Sequence, residues 1–224
     1  MHISLRNVSH DYGPSDESSA VHVLDDVSLE IASGDFAALM GASSSDKSTL
    51  QNLIGAVDRP TRGSVLLGDI DTATLDETGL TRIRRTSLGF IFQFFNLIPT
   101  LTVFENVAFP LSLAKRPKDE IEERVTEVLR SVGLAHREKH YPNELSGGEM
   151  QRVAIGRAIV HRPPLILADE PTGNLDSKTG EVILTLIREI HQTLRPTIVM
   201  ATHSDRAAAA ADYVIRVVDG QVVR

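Results

Sequence analysis

Short runs of mostly apolar residues constrain the fold of this chain more than any other feature of its sequence. FAALM (36–40), LILAD (165–169) and TIVMATH (197–203) each have the length of a single strand. Such runs are typical of strands buried on both faces, as in a parallel sheet. Segments with helical spacing follow the first two runs, at 48–57 and 177–194. This alternation predicts an α/β fold with a mostly parallel core sheet.

The remaining segments indicate a helical insertion within one cassette. Strand-like patterns recur in the first part of the chain, including a predicted strand at 64–70, and near its end, where Asp219-Gly220 indicates the turn of a hairpin. The segment between these parts has helical periodicity instead. We therefore expect a core formed by residues 1–93 and 159–224, and an α-helical subdomain formed by residues 94–158.

Composition excludes several classes of protein. The 224 residues contain no cysteine, which rules out disulfides and zinc–cysteine sites, and no apolar run approaches the roughly 20 residues of a membrane span. A net charge of −7 disfavours broad binding of nucleic acid, because phosphate backbones attract clustered Lys and Arg. The first residues lack the basic and apolar regions of a secretory signal. We expect a cytoplasmic protein that binds no nucleic acid.

The segment GASSSDKST (41–49) has the outline of a phosphate-binding loop between a strand and a helix. In such a loop backbone N–H groups surround a phosphate at the helix N-terminus, a lysine reaches the outer phosphates and a hydroxyl binds Mg²⁺. Lys47 and Ser48 stand at the required positions, although a serine-rich turn between a strand and a helix is also common without function. The candidate residues are Gly41, Ala42, Ser43, Ser44, Ser45, Asp46, Lys47, Ser48 and Thr49.

Two further motifs favour the functional interpretation. LILADE (165–170) ends in Asp169 and Glu170, which could hold Mg²⁺ and polarise water at the carboxyl end of a strand, where ligands of open α/β sheets bind. LSGGEMQ (145–151) places paired glycines beside Ser146 at the start of a helix. A capping box explains Ser146 and Glu149 but not Gly147 and Gly148.

In this order the motifs resemble those of the nucleotide-binding subunit of an ABC transporter, along essentially the whole chain. The resemblance adds Tyr12 as an aromatic residue that stacks on adenine, Gln93 as the Q-loop glutamine, Asp176 in the D-loop GNLD, and His203 as the switch histidine. Two longer segments, 90–111 and 169–180, are similar to the subgroup of lipoprotein-releasing, macrolide-export and cell-division ATPases, which act with force-transmitting permeases.

The resemblance implies a P-loop NTPase cassette of the ABC type, with an antiparallel β part at its N-terminus, and a composite ATP site. Two subunits would enclose two ATP molecules, each between one chain's phosphate loop and the other chain's signature. The implied partners are this second subunit and an integral membrane permease, which would hold the protein at the inner face of the membrane. The implied roles are phosphate and Mg²⁺ binding by Lys47, Ser48 and Thr49, metal contacts by Gln93 and Asp169, general base for Glu170, γ-phosphate contact for His203, and closure in trans by Ser146, Gly147, Gly148 and Glu149.

The phosphate loop departs from the pattern of the family at two positions. The family has glycine where this chain has Ser44 and Asp46. A left-handed backbone at a residue other than glycine costs roughly 1–2 kcal/mol. A carboxylate about 5 Å from a phosphate charge, at an effective dielectric constant near 20, costs on the order of 3 kcal/mol. Both effects predict weakened binding of ATP.

Three functions remain open at this point. The first is an ATPase subunit of an export or mechanotransmission complex with a weakened site, and it is favoured because Glu170 and His203 are retained. The second is a non-hydrolysing subunit whose signature completes the site of a partner. The third is a soluble ABC-type ATPase acting on DNA or in translation, which would need a coiled-coil insertion, a tandem cassette or basic patches that the sequence lacks.

We predict that the unaltered chain binds Mg-ATP weakly, and that the double substitution Ser44→Gly with Asp46→Gly strengthens binding by roughly several hundredfold or more, because it removes both costs. Isothermal titration calorimetry of both proteins measures the difference. Micromolar binding of ATP by the unaltered chain would contradict the prediction.

Overall fold

The computed structural model of the chain describes residues 1–13, 21–41 and 44–223, with the backbone alone at positions 44 and 45. Its strands are β1 (Ile3–Tyr12), β2 (Val21–Ile31), β3 (Phe36–Met40), β4 (Arg62–Leu67), β5 (Ile70–Asp71), β6 (Leu88–Ile91), β7 (Leu165–Asp169), β8 (Thr197–Thr202), β9 (Tyr213–Val218) and β10 (Gln221–Val223). Its helices are α1 (Ser44–Ile54), α2 (Glu77–Ser87), α3 (Val103–Leu113), α4 (Lys118–Ser131), α5 (Gly147–Ile159), α6 (Ser177–Leu194) and α7 (Asp205–Ala208).

A mostly parallel sheet forms the core, in the order β10-β9-β3-β8-β7-β6. The pairs of β3 with β8 and β9, of β7 with β8 and of β6 with β7 are parallel, and only the terminal β9–β10 hairpin is antiparallel. Every residue of β3 and β8 is buried, because neighbouring strands and covering helices exclude water from both faces. The predicted α/β fold is confirmed.

The parallel register brings three strand ends to one edge of this sheet. Met40 pairs with Thr202, and Asp169 pairs with Ala201, so β3, β7 and β8 all end at the same level. The residues that follow these ends therefore converge.

A second, antiparallel sheet lies at the N-terminal part of the chain, in the order β2-β1-β4-β5. Its buried residues form one cluster with those of α1 and of one face of the core sheet, including Leu5, Val27, Leu39 and Leu53. This arrangement confirms the antiparallel β part that the family resemblance implies.

Helices α3 and α4 lie within the segment predicted to be helical, α5 extends one residue beyond it, and the three helices pack on one another. Gly156 of α5 permits the close approach, because a Cβ there would lie 3.3 Å from methyl groups of Val107 and Val128. The division into a core and a subdomain at residues 94–158 stays a prediction. None of the described helices is long and apolar enough to cross a bilayer.

Some boundaries differ from the sequence-based expectation. The expected strand at 64–70 is two strands, because Gly68 adopts a left-handed backbone with φ of 62° between them. Helix α2 was not predicted, since its sequence is largely polar and it buries only Leu80 and Ile83. Asp76 starts this helix by accepting a hydrogen bond from the amide of Gly79.

Candidate nucleotide-binding site

The candidate phosphate loop follows β3, and its first residue has no room for a side chain. A Cβ on Gly41 would lie 2.1 Å from the carbonyl oxygen of Val217 in β9, so only glycine fits between the two strands. Lys47 of α1 is 4% exposed and donates a hydrogen bond from Nζ to the carbonyl oxygen of Gly41, at 2.6 Å. The lysine thus lies across the loop, near the N-terminal end of α1 where a phosphate would meet the helix dipole.

The structure changes the interpretation of the two missing glycines. Asp46 lies within α1, so the predicted left-handed strain at this residue is wrong; its backbone is helical, which any residue adopts. Its carboxylate is buried and accepts a hydrogen bond from the amide of Gly220 at 3.1 Å. The expected repulsion between Asp46 and phosphate stays a prediction. Ala42, Ser43 and the side chains of Ser44 and Ser45 lie outside the described residues.

Ser48 and Asp169 line one cavity of about 280 Å³ between α1, β6 and β7. Burial raises the pKa of the Asp169 carboxyl above its ordinary value, the neighbouring Glu170 raises it further, and the charge of Lys47 opposes both effects. A cation beside this carboxylate would relieve the unfavourable burial. One hydroxyl and one carboxylate suit Mg²⁺, which keeps water or phosphate oxygens as its other ligands.

Glu170 and His203 meet at the same edge of the sheet. The imidazole Nδ1 of His203 lies 2.8 Å from Oε1 of Glu170, and the hydroxyl of Thr202 donates to Oε2 at 3.3 Å. Glu170 has a left-handed backbone with φ of 43°, and its amide donates to the carbonyl of Ala201. This unusual backbone costs about 1 kcal/mol or more and is held by the β8 contacts. Glu170 is thereby fixed with its carboxylate against an exposed imidazole.

Gln93 lies beside the D-loop rather than in the cavity that Ser48 and Asp169 share. Its carbonyl accepts a hydrogen bond from Nδ2 of Asn174 at 3.0 Å. Its side-chain amide packs on Gly173, where an added Cβ would be 2.6 Å from Nε2. Metal binding by Gln93 stays a prediction, and it would require the side chain to move away from Gly173.

The signature residues form the first turn of α5. Ser146 is the N-cap, and the predicted capping box is confirmed, with the amide of Ser146 donating to the Glu149 carboxylate at 2.9 Å. Gly147 and Gly148 are the first helical residues, and a Cβ on Gly148 would lie 2.5 Å from Cγ2 of Thr179. The hydrogen bonds from the Ser146 amide and hydroxyl, together with Arg137, lower the pKa of Glu149 to about 2.

Asp176 and Tyr12 both have structural partners within the chain. Asp176 caps α6 by accepting hydrogen bonds from the amides of Lys178 and Thr179. The hydroxyl of Tyr12 donates to Asp58 at 3.1 Å and lies 3.3 Å from the hydroxyl of Thr49 in α1. Tyr12 is 40% exposed and lies beside α1, where its ring could stack on a base.

Two glutamines that hydrogen-bond to the backbone around the site were not predicted from the sequence. Nε2 of Gln51, buried on α1, donates to the carbonyls of Ala168 in β7 and Val199 in β8, at 2.9 and 3.2 Å. Nε2 of Gln151 on α5 donates to Pro171, directly after Glu170, at 2.8 Å. A polar residue amid the apolar positions of α1 was the available signal for Gln51. The signal for Gln151 was hidden inside the signature motif.

Comparison with known proteins agrees with this geometry. The family model described as ABC transporter matches residues 24–173, more than half of the chain. The chain belongs to the ABC transporter family. It is 45% identical to the ABC transporter ATP-binding protein MJ0796 of Methanocaldococcus jannaschii, with 99% of this chain and 95% of that protein covered.

Other relatives place the chain in the predicted subgroup of ABC ATPases. The lipoprotein-releasing system ATP-binding protein LolD of Geobacter metallireducens is 43% identical, over 99% of this chain and 97% of LolD. The macrolide export ATP-binding/permease protein MacB of Rhodopirellula baltica is 45% identical, over 98% of this chain but only 32% of MacB. This chain therefore corresponds to a part of MacB and to nearly all of LolD.

A solved structure shows the same fold. The dimeric post-hydrolysis state of the ATP-binding cassette MJ0796, bound to ADP and Pi, has a TM-score of 0.88 and 42% identity, with 99% of this chain and 97% of that chain covered. The fold class and the ABC-type ATPase assignment are thereby confirmed.

We predict that Glu149→Ala lowers the free energy of unfolding at pH 7 by about 1 kcal/mol, because the capping box is lost. A carboxyl with a depressed pKa stabilises the fold above its ordinary value of 4.5, and this contribution disappears as the pH falls towards 2. Urea denaturation at pH 7 and at pH 3 should therefore show a smaller difference at the lower pH. Glu123→Ala, at an exposed position of α4, is the control and should change little. A difference that is unchanged at low pH would contradict the prediction.

Proposed function

We propose that this chain is the ATP-binding subunit of a transport or mechanotransmission complex, in which ATP binding and hydrolysis drive a membrane permease. The observation that carries the proposal is the pairing of Glu170 with His203 beside the carboxyl end of β7. A carboxylate held in this way can accept a proton from an attacking water. A non-hydrolysing subunit would have no need of this arrangement, so the intact pair favours an active ATPase.

The proposed roles of the other residues follow from where they lie. Lys47 would leave the carbonyl of Gly41 for the outer phosphates, and Ser48 and Asp169 would hold Mg²⁺ in the cavity they share. The metal, when bound, would neutralise charge on the phosphates. Tyr12 would stack on the adenine, beside Thr49 at the first turns of α1.

We also propose that two copies of the cassette, or this chain and a related one, enclose the nucleotide. Gly147 and Gly148 are the first residues of α5, so their backbone amides lie at the N-terminus of this helix. The phosphates of a nucleotide held by a second chain could bind there. The dimeric structures of the MJ0796 cassette support this arrangement.

The permease would dock in a groove between α2, α3 and the end of α5. The groove has a volume of about 510 Å³ and an apolar wall that includes Phe90, Phe92, Phe109 and Leu113. Phe109 and Leu113 on α3 are 36% and 50% exposed. Exposure of these apolar side chains to water is unfavourable, and a bound protein partner would bury them. Phe92 and Phe90 also line the cavity of Ser48 and Asp169, so the groove and the metal site share a wall. Docking there would hold the protein at the cytoplasmic face of the membrane.

We predict that Glu170→Gln lowers kcat for ATP hydrolysis by about a hundredfold or more, because the general base is lost, and leaves the affinity for Mg-ATP within about twofold. Phosphate release and calorimetric titration measure the two quantities. Glu189→Gln, at an exposed position of α6, is the matched control and should change neither. An unaltered chain that binds ATP but never hydrolyses it, alone or with its permease, would instead establish the non-hydrolysing subunit.

We predict that Phe109→Ser and Leu113→Ser each weaken binding of the permease by about tenfold, because each removes apolar area from the groove. Co-purification with the cognate permease measures the effect. ATP hydrolysis by the isolated chain should stay within twofold, since neither side chain lies at the nucleotide. Val182→Ser on α6, whose side chain is 54% exposed, is the control for the loss of a surface apolar residue. Undiminished co-purification of both groove variants would place the permease elsewhere.

A further inference from the structure

The Asp46 side chain joins the first turn of α1 to the turn between β9 and β10. It is 7% exposed, and its Oδ2 accepts the hydrogen bond from the amide of Gly220, which is 174 residues away in sequence. A hydrogen bond to a charged acceptor contributes roughly twice as much as one between neutral groups. The residue that interrupts the glycine pattern of the phosphate loop is therefore part of a long-range contact within the fold.

Contacts with β2 hold the turn at Gly220 in place, so this turn can anchor helix α1. Gly220 has a left-handed backbone with φ of 75°, and its carbonyl accepts a hydrogen bond from the amide of Asp25 in β2 at 3.0 Å. A Cβ on Gly220 would lie 2.5 Å from the carbonyl oxygen of Val23, so the turn is packed tightly on β2. Val217 belongs to the same hairpin, and its carbonyl packs against Gly41 at the other end of the phosphate loop.

We propose that Asp46 is a positioning residue for ATP binding, which holds the amide-bearing first turn of α1 against the C-terminal hairpin. The proposal rests on the proposed function, because its purpose is to orient a nucleotide site. The amides of this turn must point at the phosphates, and a turn that is free to shift would lose their alignment. In a loop that lacks two glycines of the family pattern, the carboxylate supplies a contact that glycine could not make.

Two opposing effects of Asp46 on ATP follow from this geometry. Its negative charge lies at the same helix end that attracts the phosphates, and it weakens their binding. Its hydrogen bond to Gly220 orients that helix end and strengthens their binding. Asparagine keeps an acceptor oxygen and removes the charge, whereas alanine and glycine remove both. If the charge alone mattered, all three substitutions would strengthen ATP binding equally.

The anchor itself can be tested without nucleotide. Amide hydrogen exchange is measured at Gly220 in the unaltered chain, in Asp46→Asn and in Asp46→Ala, with Val222 of the same hairpin as the internal reference. We expect exchange at Gly220 to be about tenfold faster in Asp46→Ala and to stay within about threefold in Asp46→Asn. Unchanged exchange at Gly220 in Asp46→Ala would overturn the proposal.

The positioning effect is tested by calorimetric titration of Mg-ATP into the same proteins and into Asp46→Gly. We expect Asp46→Asn to bind at least about fivefold more tightly than either Asp46→Ala or Asp46→Gly. Equal affinities of the three variants would overturn the proposal and leave charge repulsion as the whole effect. If none of them binds ATP, the proposed function fails, whereas exchange at Gly220 still decides whether the anchor exists.

Asp212 provides a matched control for general loss of stability. Its Oδ2 accepts a hydrogen bond from the amide of Phe36 at 3.0 Å, so it also ties a loop to the core sheet, but at the opposite end of β3 from the phosphate loop. Asp212→Ala should lower the melting temperature and leave the affinity for ATP within twofold. An equal loss of ATP affinity in Asp212→Ala would show that the effect of Asp46 is not one of position.

Discussion

The parallel pairing of β3, β7 and β8 is the constraint on which the rest of this structure depends. Parallel neighbours in register end at the same edge of a sheet, so the loops that follow them meet without any loop having to be long. More than a hundred residues separate the phosphate loop from Glu170 in sequence, and His203 follows later in the chain. The sheet alone brings them together, and the side chains then need only short hydrogen bonds to be oriented.

Helix α5 connects the edge of the core sheet to the helical segment through hydrogen bonds. Gln151 reaches the backbone beside Glu170, and the guanidinium of Arg157 donates to the carbonyls of Phe95 and Asn96, which both have left-handed backbones. Arg157 is half-buried, and this burial lowers the pKa of its guanidinium. Helix α5 is thus hydrogen-bonded to the segments after β6 and after β7. A shift of α5 would therefore displace both segments.

Much of the fold and of the site could be predicted from the sequence, for reasons that particular residues make clear. Strand runs such as FAALM, the Ser146–Glu149 spacing and the Asp219-Gly220 turn are local patterns, and local physics determines their structure. The meeting of Glu170 with His203 could be expected once both were placed at strand ends. The partner of Asp46 could not, because no local rule relates position 46 to an amide near the end of the chain. Helix α2 escaped for another reason, since tertiary contacts at Leu80 and Ile83 hold a segment whose composition is largely polar.

The place of β9 in the core sheet has a consequence for the synthesis of the protein. β9 pairs with β3 directly, and its Val217 carbonyl forms the floor beneath Gly41. A nascent chain that has released β3, α1 and even β8 from the ribosome still lacks this neighbour. The nucleotide site therefore reaches its final shape only after β9, which follows β3 by more than 170 residues, has left the ribosome.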